Sequence, residues 1–259
     1  MRQDVWFDRR RRSSAQLTTL SYEFADGSLV PEHFHDADQL VFASKGVMTV
    51  RTKHGIWIVP PRRAVWIPAN TTHSIIMSGG VSMRTLYFIP KFVRKLPRHC
   101  CVINISPLLR ELIIHACATP AWSRNVSVQK HLIGLLTEQL RAAGSIPLQL
   151  QRPVDTRAVR VADLLLQSPD DSRSLSQICK DCGAGKRTIE RLFLDETQMT
   201  LGKWRQQARL LHATKLIAGG EKITAAALDA GYNSTSAFIS MFKKMLGTTP
   251  ARYFEETAT

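Results

Sequence analysis

A chain of 259 residues is long enough to bury two cores, so we expect two domains. Hydrophobic residues make up 44% and charged residues 22%, a balance that excludes a disordered or membrane-embedded protein. No apolar run approaches the ~18 residues that cross a bilayer, and the N-terminus lacks the apolar core of a secretory signal. We therefore expect a cytoplasmic protein, and its formal net charge of +14 indicates a polyanionic partner.

The positive charge is concentrated in the front part of the chain. Lys and Arg outnumber Asp and Glu by 20 to 9 over residues 1–154, but only by 15 to 12 over residues 155–259. The two parts therefore carry +11 and +3, so binding of a polyanion to the back part would have to rest on locally placed charges. The four arginines at residues 9–12 are either a phosphate-contacting arm or a solvated tail.

Short β-rich runs occupy residues 17–89. They are LTTLSYEF, QLVFAS, VMTVRT, IWIVP, AVWIP, SIIM and SMRTLYFI, and turn residues separate them. The runs are rich in the β-branched and aromatic residues that favour strands. Seven short runs at this spacing predict a barrel or a sandwich.

Two histidine motifs lie among these runs. The first has the pattern G-x5-H-x-H-x3-Q-x6-G and contains Gly27, His33, His35, Gln39 and Gly46; the second, P-x-N-x2-H, contains Pro68, Asn70 and His73. Both resemble the motifs of the cupin family, which usually has Glu at the position of Gln39, Gly at that of Asn70 and Asn at that of Met77. Because residues two apart in a strand point to one side, we expect His33 and His35 to face the barrel interior and to meet His73.

Two helices are predicted between residues 106 and 140. Their apolar residues fall on one face at Leu108, Leu109, Leu112, Ile113 and Ala116, and on another at Leu132, Leu135, Leu136 and Leu140. Such helices either cover an edge of the barrel or pair with a second subunit, and the sequence leaves both alternatives open.

The five cysteines are an odd number at irregular spacings, which is a poor disulfide framework in a reducing cell. Cys179 and Cys182 form a lone C-x2-C motif without a second pair of metal ligands nearby. We interpret both as small residues on a packed helix.

The segment AAGSIPLQLQRPVD, residues 142–155, has no strong periodicity and contains Gly, Ser and two Pro, so it is predicted to be a linker. Helices are predicted after it at residues 156–167, 175–182, 186–196, 201–217, 225–230 and 235–246, with a last turn near Ala251. An all-α segment of this length is a domain in its own right. The predicted fold is therefore an α+β multidomain protein, with a cupin-like β-barrel plus helices over residues 1–150 and an all-α domain over residues 151–259.

The helical segment repeats itself with an offset of 49 residues. The offset aligns Ile189 with Phe238, Phe193 with Phe242, Thr200 with Thr249, and Trp204 with Tyr253. Each copy has a short helix, a turn that contains Gly183 or Gly231, and a second helix with an apolar stripe that ends in Phe. This arrangement predicts two helix-turn-helix units, at about residues 175–196 and 223–246, whose second helices enter the major groove of DNA.

The stretch ITAAALDAGYNSTSAFISMFKKMLGTTPARY resembles the C-terminal signature of the AraC/XylS family. That signature combines an I-x-x-x-A start, a G-[YF] turn, an S-x-x-x-F helix, an F-K-K run and G-x-x-P-x-x-Y. The resemblance covers residues 155–254 and implies a transcription regulator that binds a specific DNA sequence. The first copy departs from the family at Gly185, where a Ser N-cap is common, and at Leu201, where Pro is common, so we expect a weaker cap on its recognition helix.

The side chains expected to reach DNA lie off the apolar stripe of each second helix. They are Lys186, Arg187, Glu190 and Arg191 in the first copy, and Thr235, Ser236 and Ser240, with Lys243 and Lys244 near the DNA backbone, in the second. Arg binds guanine in a bidentate fork and Glu accepts from cytosine, whereas Lys186 at the helix start suits a phosphate. Short hydroxyls discriminate bases weakly, so we expect the first unit to specify more sequence. The predicted core residues are Ile189, Phe193, Phe238 and Phe242.

The resemblance also bears on the histidines, because sensor barrels of this regulator family often resemble cupins that have lost their metal and bind an organic effector. Three alternatives stay open: a metal-free effector pocket, a divalent metal site, and a structural cluster, each built from His33, His35, Gln39 and His73. Three imidazoles and an amide oxygen suit a divalent ion, but the missing carboxylate weakens the binding of a hard cation. We expect no cofactor, with a divalent metal in the barrel as the alternative. Three aromatic residues either line such a pocket or pack in the core: Trp57, Trp66 and Tyr87.

Two classes of function follow from these motifs. The leading hypothesis is a non-enzymatic regulator that binds double-stranded DNA, senses a small molecule through its barrel, and represses or activates its own gene or a neighbouring gene, such as one for transport. Its further expected partners are RNA polymerase and a second copy of the chain, and no membrane is expected. The alternative is a metal-dependent cupin enzyme with an accessory helical domain. An enzyme leaves the repeated helix-turn-helix unexplained and lacks the usual carboxylate ligand, so the regulator is favoured.

Overall fold

The computed structural model describes residues 15–93, 96–123, 125–146 and 149–255, so the arginine run at residues 9–12 lies outside it. The front domain, called the barrel below, consists of an antiparallel sheet with two helices, and the rear domain is helical. The strands are β1 (Leu17–Phe24), β2 (Leu29–His33), β3 (Asp38–Thr52), β4 (Gly55–Val59), β5 (Arg63–Ile67), β6 (His73–Phe88), β7 (Cys101–Asn104), β8 (Ala121–Trp122), β9 (Ser145–Ile146) and β10 (Gln149–Gln151).

The helices follow the predicted ranges to within a few residues. They are α1 (Pro107–Ala116), α2 (Ser127–Ala142), α3 (Thr156–Gln167), α4 (Leu175–Asp181), α5 (Lys186–Thr197), α6 (Leu201–Ala218), α7 (Ile223–Asp229), α8 (Thr235–Leu246) and α9 (Pro250–Glu255). Among the described residues, none of these helices is long and apolar enough to cross a membrane.

The centre of the sheet consists of the two long strands β3 and β6. They pair from Asp38 opposite Phe88 to Arg51 opposite Ser74, with shifts of register around Lys45. The sequence predicted each of these strands as two separate runs, because turn residues interrupt the β-rich pattern. In the structure the interruptions are bulges, which bend a strand instead of ending it. Seven predicted runs are therefore five strands.

Five strands were not predicted: β2, β7, β8, β9 and β10. Two of them, β9 and β10, lie in the segment that was predicted to be a linker, and they pair with β7 and β4 respectively. Strands of two or three residues are too short to show periodicity, so only their partners in the folded sheet reveal them. The sheet consequently continues to Gln151, and four residues separate it from α3.

Helices α1 and α2 pack against the sheet of the barrel. Their buried residues form a core with the sheet residues Leu17, Trp66 and Phe88. Leu109, Ile113 and Ala116 are buried on α1, and Ile133, Leu136 and Leu140 on α2. Two residues that were predicted on the apolar faces, Leu108 and Leu135, are instead 50% and 43% exposed, because the sheet contacts only a narrow stripe of each helix.

The helical domain shows the sequence repeat as a repeat of packing. The rings of Phe193 and Trp204 lie 5.4 Å apart at 79°, and the equivalent rings of Phe242 and Tyr253 lie 5.5 Å apart at 76°. The predicted core residues are confirmed, since all four are fully buried: Ile189, Phe193, Phe238 and Phe242. The two helix-turn-helix units, α4–α5 and α7–α8, thus share one internal architecture.

The two recognition helices begin differently. Ser234 caps α8 by accepting a hydrogen bond from the backbone N–H of Ala237, whereas Gly185 at the start of α5 has no side chain that can do so. The weaker cap predicted for α5 is therefore confirmed. Cys179 is fully buried on α4 and Cys182 is its half-buried C-cap, as expected for packed small residues.

The barrel rests on α6, the helix that joins the two helix-turn-helix units. Helix α6 contacts β3, β6 and β10, and the buried residues of both domains form one continuous core. The indole N–H of Trp204 donates to the carbonyl oxygen of Gln151 in β10 at 2.8 Å. Tyr253 of α9 donates to the carbonyl oxygen of Pro61, and burial raises the pKa of this tyrosine to about 12, so the hydroxyl stays a donor.

Candidate DNA interface and effector site

Helix α5 presents its predicted DNA-contacting side chains to solvent. All four are exposed: Lys186, Arg187, Glu190 and Arg191. The ammonium of Lys186 lies 3.5 Å from the Glu190 carboxylate, an i,i+4 pair that competes with any base contact by Glu190. Arg187 and Arg191 lie four residues apart on one side of the helix, and neither has an ion-pair partner among the described residues. The two guanidinium groups are thus the available donors of this helix.

Helix α8 offers shorter side chains. Thr235 is half-buried, while Ser236 and Ser240 are exposed. Lys243 and Lys244 are exposed in the last turn, where their charges also favour the helix dipole. The structure therefore keeps the contrast between the two copies that the sequence suggested, with long cationic donors on α5 and hydroxyls on α8.

The three histidines of the barrel converge. His33 ends β2, His73 starts β6, and the two are register partners, whereas His35 lies beyond the end of β2. The expectation that His33 and His35 share one strand is wrong, because the chain leaves the sheet after His33. Their convergence with His73 is confirmed, since the ring centroids lie 4.7 Å, 4.3 Å and 5.3 Å apart for the pairs 33–35, 33–73 and 35–73.

Local hydrogen bonds orient two of these rings. Nδ1 of His33 lies 2.6 Å from the carbonyl oxygen of Pro31, and Nδ1 of His73 lies 2.8 Å from that of Thr71. A carbonyl oxygen only accepts, so each Nδ1 carries a hydrogen. In the neutral imidazole this leaves the lone pair on Nε2.

Gln39 is buried and contacts the cluster through Tyr87. Its amide nitrogen donates to the hydroxyls of Thr85 at 3.0 Å and Tyr87 at 3.1 Å. The Tyr87 ring in turn lies 5.0 Å from that of His35. His73 and Tyr87 lie near opposite ends of β6, and the bend of this strand brings both of their rings close to the ring of His35. The predicted role of Gln39 as a direct ligand stays a prediction.

An open cavity of about 790 Å³ is lined by residues that neighbour the histidines in the sequence, whereas the predicted effector residues themselves do not belong to its lining: His33, His35, Gln39 and His73. Glu32 and Thr72, which precede His33 and His73, form part of its wall. The rest comes from the β3–β4 turn, the loop before β7 and β10, which contribute Lys53, Arg98 and Gln151 among others. Sequence reasoning missed these three residues, because they belong to no motif and meet only in the folded chain. Trp57 lines the cavity and is also buried in the core, so both of the roles that were predicted as alternatives apply to it.

Cys100 lines the same cavity, but its thiol has low reactivity. Burial raises the pKa of its thiol to about 12, and the neighbouring Cys101 adds to this effect. The thiolate is the form that attacks electrophiles and binds metals. The sulfur of Cys100 therefore contributes packing to the cavity wall.

A second, smaller cavity of about 70 Å³ lies between the barrel and the helical domain, and Lys215 of α6 lines it together with Arg51 and His212. Desolvation, followed by the charge of Arg51, lowers the pKa of Lys215 to about 8. The folded state thus disfavours the charged form of Lys215. Between pH ~8 and the pKa of ~10.4 of an unfolded lysine, the unfolded chain holds this proton more tightly, so the free energy of unfolding should rise with pH in that range.

We expect Lys215→Met to raise the free energy of unfolding at pH 7 by up to ~3 kcal/mol, because it removes a partly desolvated charge. The variant should also lose the rise in stability between about pH 8 and pH 10. Denaturant unfolding of both chains across this range measures the effect, with the exposed Lys222→Met as the control. Parallel pH curves for wild type and Lys215→Met would contradict the assignment.

Comparison with known proteins agrees with both halves of this description. The AraC-like ligand binding domain family matches residues 17–196, and the helix-turn-helix domain family matches residues 178–256. The transcriptional regulator NimR of Escherichia coli is 31% identical over 96% of this chain and 91% of its own length. RipA of Corynebacterium glutamicum, another transcriptional regulator, is 31% identical over 39% of this chain and 30% of its own.

Among solved structures, fatty acid-bound ToxT from Vibrio cholerae is similar over 95% of this chain and 96% of its own, with 16% identity and a TM-score of 0.39. The family match spans more than half of the chain, and the similarity to NimR spans nearly all of it. The chain therefore belongs to the AraC family of DNA-binding transcription regulators, with a ligand-binding domain of cupin type in front of its two helix-turn-helix units.

Proposed function

We propose that this regulator senses a small polar anion in the 790 Å³ cavity of the barrel and passes its occupancy to the DNA-binding domain through α6. One observation carries the proposal: Gln151 lines the cavity, and its carbonyl oxygen accepts the indole hydrogen bond of Trp204 on α6. Helix α6 sets the separation of the two helix-turn-helix units. A ligand that moves β10 therefore acts on the element that positions both recognition helices on DNA.

The charges of the cavity favour an anionic effector. Lys53 and Arg98 contribute positive charge to its wall, against the single carboxylate of Glu32. His54 and His99 add neutral or cationic donors in the same place. Carboxylates are bound by such groups through charge-assisted hydrogen bonds, which are roughly twice as strong as neutral ones.

On the DNA side, we propose base contacts by Arg187 and Arg191 and a phosphate contact by Lys186. The hydroxyls of α8 contribute weaker contacts through Thr235, Ser236 and Ser240, with Lys243 and Lys244 near the backbone. The position of these groups off the buried stripe supports this assignment, as does the exposure of all of them except the half-buried Thr235. Glu190 is the weakest member of the set, because Lys186 already occupies its carboxylate.

The chain is proposed to act as a homodimer, because Leu108, Val128 and Leu135 remain exposed on the outer faces of α1 and α2. Its own gene or a neighbouring one, such as a transport gene, is the proposed target, with RNA polymerase as a further partner. The relatives are transcription regulators, which supports a non-enzymatic function for this chain as well. A regulator of the bacterial chromosome works in the cytoplasm, which is the compartment we propose.

A thermal-shift screen of small mono- and dicarboxylates tests the anionic effector. We expect at least one compound to raise the Tm of the wild-type chain, because a ligand that binds only the folded state stabilises it by mass action, by ~2.7 kcal/mol at 100 times its Kd. The same compound should lose most of its effect on Arg98→Ala. The control is Arg110→Ala, an equal loss of charge on α1 outside the cavity. Equal shifts in both variants, or binding of neutral compounds only, would reject the anionic class.

A further inference from the structure

Each helix-turn-helix unit is followed by an aromatic residue that reaches the barrel, and the two aromatic residues are equivalent in the repeat. The offset of 49 residues aligns Trp204 with Tyr253. The indole N–H of Trp204 donates to the carbonyl oxygen of Gln151, and the hydroxyl of Tyr253 donates to that of Pro61. Both acceptors belong to the backbone of the barrel, one in β10 and the other in the turn between β4 and β5. The repeat therefore extends to the contacts between the domains.

The same two aromatic rings pack against the recognition helices. The ring of Trp204 lies 5.4 Å from that of Phe193 on α5, and the ring of Tyr253 lies 5.5 Å from that of Phe242 on α8. Trp204 and Tyr253 are 1% and 2% exposed, so water competes little for their hydrogen bonds. One buried side chain thus connects each recognition helix to the barrel.

Helix α6 alone leaves the orientation of the second unit open. Two consecutive glycines, Gly219 and Gly220, follow the helix, and α7 begins only three residues later at Ile223. Gly220 has φ +100°, a conformation that glycine adopts readily and that residues with a side chain avoid. A joint of this composition has wide conformational freedom, so the angle of the second unit needs a further constraint.

The barrel contacts the chain on both sides of this joint. Before it, Gly79 in the middle of β6 lies so close to the end of α6 that an added Cβ would be 2.5 Å from the carbonyl oxygen of Ala218. After it, the guanidinium carbon of Arg63 lies 6.0 Å from the centre of the Tyr253 ring, within the range of a cation–π contact. Arg63 is 7% exposed and is itself held by the side chain of Asn104. The barrel therefore bridges the joint.

We propose that Trp204 and Tyr253 are positioning residues for DNA binding. Trp204 holds the first unit against the barrel and Tyr253 holds the second, so the barrel sets the angle between the two recognition helices while α6 sets their separation. This role goes beyond the proposed function, because it does not depend on what the barrel binds. Its consequence is selectivity for the spacing of the two DNA segments, since one added base pair turns the second segment by ~34–36° and shifts it by ~3.4 Å.

The test uses the full-length chain and its DNA site, identified by selection of bound genomic fragments. Footprinting locates the two segments that the units contact, and a second DNA carries one extra base pair between them. The ratio of the two Kd values is the spacing penalty. Tyr253→Phe removes only the hydroxyl and keeps the ring on Phe242. We expect it to reduce the spacing penalty by ~2- to 12-fold, the equivalent of the ~0.5–1.5 kcal/mol that one hydrogen bond contributes.

Tyr232→Phe is the matched control. It removes a hydroxyl from the turn of the same unit, and this buried hydroxyl has no hydrogen-bond partner among the described residues. The control should keep the wild-type penalty. A merely structural defect leaves the penalty unchanged as well, because inactive protein weakens the apparent binding of both DNAs equally. Trp204→Phe can therefore be compared in the same way, although it also removes part of a buried ring.

The outcomes decide for each aromatic residue separately. A smaller penalty in Tyr253→Phe and in Trp204→Phe supports both positioning roles, and a change in one variant alone overturns the role of the other residue. The proposal is overturned as a whole if wild type binds the two DNAs equally, or if neither variant changes the penalty. Tighter binding of Tyr253→Phe to the natural site would also overturn it, because the contact with Pro61 would then oppose DNA binding.

Discussion

Arg187→Ala and Arg191→Ala are each expected to weaken binding to the specific DNA site by ~1–3 kcal/mol, or roughly 5- to 150-fold. Both guanidinium groups are exposed on α5, and each can bond O6 and N7 of a guanine in a bidentate fork. Removal of such a fork should also relax the preference at one base position. Selection of bound fragments from genomic DNA first identifies the site, and titrations against single-base variants of it then measure both effects.

Two controls separate base recognition from simple loss of charge. Lys130→Ala removes one positive charge from α2, far from the recognition helices in the sequence, and should leave DNA binding unchanged. Lys186→Ala should weaken binding to all sequences about equally and reduce the salt dependence of log K by ~1, as a phosphate contact does. Unchanged affinity and sequence preference in both arginine variants would remove α5 from its assigned role.

Gly231→Ala is expected to destabilise the helical domain by ~2–5 kcal/mol. Gly231 has φ +78°, where an alanine costs ~1–2 kcal/mol. A Cβ at this position would also lie 2.7 Å from the carbonyl oxygen of Pro169, in the loop between α3 and α4. Arg209 donates to that same carbonyl, so the loop is held in place and its displacement adds ~1–3 kcal/mol. Denaturant unfolding measures the loss.

Gly183 provides the matched comparison in the first helix-turn-helix unit. It has nearly the same conformation, φ +76°, but a Cβ there would meet only Arg160 Nη2 at 3.9 Å, which is ordinary contact. Gly183→Ala should therefore cost only the ~1–2 kcal/mol of the backbone conformation. Equal costs at the two glycines would show that the contact with Pro169 relaxes freely.

The helical domain was predictable almost residue by residue. Its apolar positions recur with the helical period over long segments. The two copies also support each other, because the ring contact of Phe193 with Trp204 in the first copy is equivalent to that of Phe242 with Tyr253 in the second. Helix-start signals that the prediction did not use agree with it, since Asp155, Ser174 and Ser234 cap the helices that follow them. Local sequence alone specifies these features.

The barrel was predictable only in outline. Breaks in the β pattern at Lys45 and Gly79 were interpreted as ends of strands, whereas the ladder between β3 and β6 continues through them. The strands β7 to β10 were not predicted, because their stability comes from pairing with strands that are distant in the chain. Pairings of this kind depend on tertiary context and not on local preference.

The candidate effector site was also predictable only in part. The motif spacing brought His33, His35 and His73 together correctly, although the strand geometry used to argue it was wrong for His35. The 790 Å³ cavity was not predictable, because Arg98 and Gln151 reach it from segments that carry no signature. A motif specifies the residues that meet one another, whereas the shape and charge of the surrounding wall come from the fold.

The position of α6 between the barrel and both helix-turn-helix units limits how this regulator can diverge. The ring of Trp204 packs against Phe193 in the core of the first unit, and its indole N–H donates to Gln151 of the barrel. A substitution of this one side chain would therefore affect both domains. A chimera that joins this barrel to the helical domain of a relative would have to transplant the matching face of α6 as well. New effector specificities should therefore arise by substitution in the cavity wall, and exchange of whole domains should be rare in this lineage.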